Sequence, residues 1–176
     1  MAMTNPQRDI QIATVADIAA LTALARKTYV DAFGHSMKPS DLVSHLERNL
    51  SEHCFSRYLE TDQIHVAADG SDLVGFAQVG AATRQLYGDL VNKGDLALRR
   101  LYVREDLQGQ GIGQRLLDRA LPIDAICFLD VWEDNVRARK FYERNRFEVV
   151  SKRQFHVESG ELTGFDLIMR RPLLED

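Results

Sequence analysis

The residues with the plainest chemistry are three alternating glycines, Gly109-Gln-Gly111-Ile-Gly113. They come shortly after the apolar run Leu101-Tyr102-Val103, and helical spacing begins at Ile112. A strand, a glycine loop and a helix start, in that order, gather backbone N–H groups around an anion, and phosphate oxygens suit such a cradle. Glycine is needed where the backbone itself must approach the ligand. Two commoner phosphate loops do not fit. A Walker loop requires Gly-Lys-Ser/Thr, and Gly113 is followed by Gln114 and Arg115. A dinucleotide fingerprint requires Gly-x-Gly-x-x-Gly near the first strand, and this loop lies beyond residue 100. Taken alone, the segment also reads as a flexible connection into a glycine-rich helix entry. Elsewhere, Cys54 and Cys127 lie far apart, with no Cys or His at metal spacing, so neither a zinc site nor a disulfide is expected. Their apolar neighbours predict buried free thiols.

The elements that position this loop can be read from periodicity. Arg8–Ala13 alternates as a strand. Thr14 and Asp17 form a helix-start pair, and Ile18, Leu21, Leu24 and Ala25 predict a helix to about Phe33, with Gly34 as its stop. Pro39–Ser40 opens a second helix, and Ser51 caps a third that carries Phe55, Tyr58 and Leu59. Gln63–Ala68, Asp69-Gly70-Ser71-Asp72 and Leu73–Ala81 read as a hairpin. Asp95–Val103 is a strand, Ile112–Leu121 a helix ended by Pro122, and Ala125–Val131 a buried strand. The helix Asp134–Asn145 and strands near Phe147–Val157 and Leu162–Met169 follow. The class is a mixed α/β, or α+β, single domain of about seven strands.

Two ordered blocks raise the loop above a lone glycine motif. Gln108-x-x-Gly111-x-Gly113 after Leu-Tyr-Val resembles the acetyl-CoA signature of the GCN5-related N-acetyltransferases, the GNAT superfamily. Val131-Trp-Glu-Asp-Asn135-Val-Arg-Ala138-Arg-Lys-Phe141-Tyr142 is similar to that family's Val-x-x-x-Asn-x-x-Ala-x-x-x-Tyr strand and helix. The resemblance runs from about Ile10 to Leu173. It implies one acetyltransferase domain over residues 1–176 with its core at about 8–173. It also implies a mostly antiparallel sheet flanked by helices, with a splayed central strand pair holding the cofactor.

The same resemblance assigns roles. Backbone amides of Gln108, Gly109, Gln110, Gly111, Ile112, Gly113 and Gln114 would bind the pyrophosphate of acetyl-CoA, with no metal. The strand Leu101, Tyr102 and Val103 would pair with the pantetheine arm, and the amide of Leu101 or Val103 would polarise the thioester carbonyl. Asn135 reads as a helix cap or as a hydrogen-bonding partner of the pantetheine. Ala138 and Phe141 face the cofactor or the core. Tyr142 is the catalytic acid for the departing thiolate, against a plain reading as a packed tyrosine. Ala97 stands where many members carry a glutamate base. Asp95, two residues earlier, points the same way by alternation but reads more simply as a solvated charge at a strand start. The base stays unassigned among Asp95, His156, Asp31, Glu133 and a water chain. Arg146 replaces the family's usual glycine before Phe147, a change in the turn rather than in the chemistry.

Composition narrows the acceptor. With 22 Lys+Arg against 26 Asp+Glu in 176 residues, the net charge is −4, a poor match to nucleic-acid phosphates. The start has no apolar signal segment, and the run Ala120–Val131 is broken by Asp124 and Asp130, so a cytoplasmic protein without a membrane span is expected. Asp31, Phe33, Trp132, Glu133 and His156 resemble the acceptor positions of the PaiA-type polyamine N-acetyltransferases. Asp31, Glu133, Glu158 and Asp166 would attract a polycation, although each alone reads as a surface charge. The expected partner is therefore a small-molecule amine, spermidine or spermine foremost, and a homodimer is compatible. A protein or peptide N-acetyltransferase and a non-catalytic acetyl-CoA-binding regulatory module are the alternatives.

Overall fold

The computed structural model describes residues 9–156 and 162–173. Its strands are β1 (Ile10–Ile12), β2 (Gln63–Asp69), β3 (Asp72–Ala81), β4 (Leu96–Val103), β5 (Cys127–Trp132), β6 (Glu148–His156) and β7 (Leu162–Arg171). Its helices are α1 (Ile18–Phe33), α2 (Pro39–Asn49), α3 (Glu52–Thr61), α4 (Arg84–Tyr87), α5 (Ile112–Ala120) and α6 (Val136–Arg144). The strands form one sheet in the order β1-β2-β3-β4-β5-β7-β6. The pairs β1–β2, β5–β7 and β6–β7 are antiparallel. β4 and β5 are parallel and pair through Leu96–Cys127 and Ala97–Phe128, near the start of both strands. The α/β class and the strand count agree with the sequence. Helix α4 has no counterpart there, because four residues are too few to show a period.

Local chemistry explains most boundaries. The chain enters α1 through a 3-10 turn, Val15–Asp17, and the Thr14 N–H donates to Asp17 Oδ2 at 2.8 Å, as in a capping box. Gly34 does not end α1 with a left-handed turn. Its φ is −57°, and the chain continues as a 3-10 turn, Gly34–Ser36. Glycine fits there because a Cβ would stand 3.3 Å from Val30 Cγ1. Pro39 opens α2 at a position that needs no N–H. Ser51 caps α3, its Oγ accepting from the Cys54 N–H at 3.3 Å. Gly70 turns the β2–β3 hairpin at φ +64°.

Contacts gather the chain into two units. One comprises the described residues up to Gln78 together with Arg100–Ala120, and its core holds Leu21, Leu24, Tyr29, Leu50, Phe55, Ile64, Val66 and Phe76. The other comprises Val79–Arg99 and the chain from Leu121 on, with Tyr87, Val91, Ala97, Phe128 and Ile168 at its centre. In the first unit, Gly75 lets β3, β4 and α5 approach closely. A Cβ there would lie 3.0 Å from the Tyr102 carbonyl and 3.1 Å from Leu116 Cδ1.

Candidate functional site

In the first unit, β4 ends at Val103 and the chain turns through Glu105–Leu107. Arg104 grips Asp106 with two bonds, Nε to Oδ1 at 2.7 Å and Nη2 to Oδ2 at 2.9 Å. Gln108 is part of this turn. Its N–H donates to the Glu105 carbonyl at 3.2 Å and its Nε2 to the Val103 carbonyl at 2.9 Å. The Gln108 amide, which the resemblance would place on the pyrophosphate, is thus bonded within the turn. Gly109 and Gly111 have φ +80° and +78°, and a Cβ on either would meet no atom within 4 Å. Backbone conformation, not crowding, requires glycine at both, and the space around them is open. Ile112, Gly113 and Gln114 open α5, ahead of the bond from the Arg115 N–H to the Gly111 carbonyl at 3.1 Å. The amides of a first helical turn have no acceptor inside the helix and carry its positive dipole end. Ile112, Leu116, Leu117 and Ala120 bury the opposite face and hold the helix start in place.

Leu101, Tyr102 and Val103 are each half-buried. The Tyr102 ring packs 5.7 Å from Phe76, and burial pushes its hydroxyl above the ordinary tyrosine value. Asp31 accepts from Lys27 Nζ at 2.7 Å, one helical turn back, so its charge is balanced on α1 itself. Phe33 leans on Tyr29 at 4.9 Å between centroids.

In the second unit, Asn135 caps α6. Its Oδ1 accepts from the Ala138 N–H at 3.1 Å, and its Nδ2 amino group carries the donors that a ligand carbonyl would need. Ala138 and Phe141 are half-buried. The helix ends in a Schellman motif. The Phe147 N–H donates to the Tyr142 carbonyl at 3.0 Å and the Arg146 N–H to the Glu143 carbonyl at 3.1 Å. Arg146 takes the left-handed position at φ +64°, so the turn is the one a glycine would make. The motif also brings the Tyr142 ring against buried Phe147, edge to face at 5.7 Å.

The strand ends of this unit hold several of the candidate bases. Asp95 is buried, not solvated. Its Oδ2 accepts from the Asn92 N–H at 2.9 Å and closes the turn before β4. Ala97 is fully buried in the cluster with Phe128 and Tyr87. Glu133 is spent on backbone. Its Oε1 accepts from the Phe165 N–H at 2.9 Å, and its own N–H donates to the Phe165 carbonyl at 2.9 Å. Trp132 is half-buried at the end of β5, beside Gly164, whose φ of +124° favours glycine and where a Cβ would lie 3.1 Å from the indole Nε1. The backbone of His156 ends β6 opposite Leu162, but its side chain, like Glu158, lies outside the described residues.

Sequence reasoning passed over Asp130. It is half-buried, and a lone charge inside the apolar run Cys127–Val131 was the available signal, because a buried carboxylate is costly unless it has partners. The Tyr87 hydroxyl donates to Asp130 Oδ2 at 3.1 Å, and Arg153 Nη2 stands 2.7 Å from Oδ1. Burial raises the carboxyls of Asp130 and Asp166 above the ordinary aspartate value, and Asp130 pushes Asp166 further up. Of the two cysteines, Cys127 is buried and Cys54 only half-buried, because it sits at an exposed helix start.

Among the described residues, no group of three or more His, Cys, Asp or Glu is placed to hold a metal ion, and no helix is long and apolar enough to cross a membrane. Residues 60–149 match the acetyltransferase (GNAT) domain. An uncharacterized N-acetyltransferase of Lactobacillus delbrueckii subsp. lactis is 25% identical over 157 residues, covering 85% of this chain and 89% of that protein. An uncharacterized N-acetyltransferase of Mycobacterium tuberculosis is 27% identical over 165 residues, covering 90% and 99%. Two solved structures share the fold. The PaiA N-acetyltransferase of Thermoplasma acidophilum in complex with coenzyme A has TM-score 0.68 at 19% identity, covering 93% of this chain and 98% of that one. The ribosomal-protein-S18-alanine N-acetyltransferase of Escherichia coli has TM-score 0.68 at 19% identity, covering 97% and 96%.

Proposed function

The chain belongs to the GNAT acetyltransferases and is an acetyl-CoA-dependent N-acetyltransferase; from that premise we propose that its acceptor is a small primary amine, a polyamine such as spermidine or spermine foremost. The observation that carries the transfer reading is the entry to α5. Two positive-φ glycines with open space around them lead into the start of α5, where the positive end of the helix dipole favours a pyrophosphate.

The chain's own groups then divide the work. The amides of Gly109 to Gln114 hold the pyrophosphate, and those of Leu101 or Val103 polarise the thioester carbonyl. Asn135, its oxygen committed to the helix cap, offers Nδ2 to the pantetheine. When bound, acetyl-CoA supplies an acyl group already activated as a thioester. The amine attacks directly in a ternary complex, and Tyr142, its ring fixed against Phe147, gives the thiolate its proton.

The resemblance to PaiA-type enzymes and the carboxylate of Asp166 support a polyamine. A peptide amino terminus is the second reading. Asp31 pairs with Lys27 and Glu133 Oε1 accepts from the Phe165 amide, which weakens the pull of each on a polycation. Release of free thiol from acetyl-CoA separates the readings, with spermidine, spermine, amino acids, aminoglycosides and alanine-first peptides as acceptors. Turnover of polyamines alone is expected, and turnover of peptides alone moves the function to protein acetylation. Binding without turnover on any amine makes the chain a regulatory module. In the active enzyme, Tyr142→Phe lowers kcat by about 10²–10⁴-fold and leaves the acetyl-CoA KM nearly unchanged. An unchanged kcat removes Tyr142 from the mechanism.

A further inference from the structure

An amine meets the enzyme mostly as an ammonium ion and must lose a proton before it can attack. Ala97, buried against Phe128 and Tyr87, has no group to take it. The register of β4 and β5 indicates where a substitute stands. Ala97 is opposite Phe128 in the last parallel pair, and side chains alternate along a strand, so Asp130 lies on the same face of β5, one step beyond that pair. Asp130 is opposite Ile168 and Trp132 is opposite Asp166, so Asp166 is its diagonal neighbour on that face. Arg153 on β6 is opposite Asp166.

Resting on the acetyltransferase reading, we propose that Asp130 takes the proton from the acceptor ammonium, with Asp166 beside it holding the amine's charge. Two carboxylates here face one guanidinium, which is shared. Arg153 Nη2 approaches Asp130, while Nη1 donates to the Leu86 carbonyl at 2.7 Å. The Tyr87 hydroxyl orients the second oxygen of Asp130, and its ring stacks on Phe128 at 5.3 Å. Among the described residues, the charged and titratable groups facing Asp130 are thus Tyr87 from α4, Arg153 from β6 and Asp166 from β7. Burial raises the Asp130 carboxyl above the ordinary aspartate value, the direction that makes it a stronger base.

The protons balance. The ammonium gives one to the Asp130 carboxylate, which returns it to water. Nitrogen then bonds to the acyl carbon, and the carbon–sulfur bond breaks. The second proton leaves nitrogen through water for the Tyr142 oxygen, replacing the one that Tyr142 delivers to sulfur.

The test measures kcat/KM for spermidine, or for an alanine-first peptide if that is what the wild type turns over, from about pH 6 to about pH 10, which reaches the range of a primary amine. Asp130→Asn is expected to lose about 10²–10⁴-fold near neutrality. The deficit should shrink as pH rises and the amine arrives already neutral. Tyr87→Phe removes a donor to the carboxylate and is expected to move the acid limb to higher pH without changing the acetyl-CoA KM. A folded Asp130→Asn enzyme that keeps the wild-type profile, or loses equally at every pH, overturns the proposal. Should Asp130→Asn fail to fold, an unmoved acid limb in Tyr87→Phe overturns it. If the wild type turns over no amine, both this proposal and the transfer reading fall.

Discussion

Replacing Arg146 tests whether the end of α6 is strained. Arg146 is, among the described residues, the non-glycine held at positive φ, at +64°. It is held there because the Schellman bonds to Tyr142 and Glu143 need a left-handed residue at that position. An L-residue loses roughly 1–2 kcal/mol in that conformation. Glycine removes this strain but gives back about 0.4–1 kcal/mol in unfolded-chain entropy. Arg146→Gly should therefore stabilise the protein by about 0.8 kcal/mol, the difference of the midpoints of those two ranges. In a chain of this length that is about 1–3 °C in melting temperature. Arg146→Val, β-branched at the same φ, should lose about 1 kcal/mol or more. Thermal and urea melts of the three proteins at one pH measure the order Gly, Arg, Val, and kcat should stay put in Arg146→Gly because the Tyr142–Phe147 contact is kept. A glycine variant that melts at or below the wild type refutes the reasoning, since the arginine side chain would then be holding the turn.

Four further outcomes follow from particular contacts. Gly75→Ala should lose about 1–3 kcal/mol, because the methyl group meets the Tyr102 carbonyl, which cannot move aside cheaply; denaturant melts decide it. Gly111→Ala, at φ +78°, should strain the loop by about 1–2 kcal/mol and raise the acetyl-CoA KM with little change in kcat. His65 is buried on β2 with its Nδ1 unpartnered, and burial, aided by Arg119, holds its pKa below the usual 6.5. The folded state therefore refuses a proton that the unfolded chain accepts, so stability is full above about pH 6.5 and falls as pH drops through that value. His65→Leu should flatten that slope in melts across the range. The Cys127 thiol, pushed up to about 12 by burial, should react with a thiol reagent only on unfolding, and half-buried Cys54 should react first.

What the sequence determined by itself was everything written in short-range patterns. The capping pair Thr14–Asp17, the Ser51 cap, the Asp69-Gly70 hairpin and the glycine entry to α5 are local rules of backbone chemistry, and they are obeyed in place. The two motif blocks pointed to the family because they are patterns of residue type and spacing along the chain. Tertiary structure alone decided which charges are available. Asp31, Glu133 and Asp95 read alike as candidate acids, yet each is committed to a partner that periodicity does not reveal. Asp130 looked like an interruption in an apolar strand until the pairing of β4, β5, β6 and β7 set Tyr87, Arg153 and Asp166 around it. A carboxylate's reactivity depends on burial and on neighbours brought from distant parts of the chain, and neither is encoded at its own position.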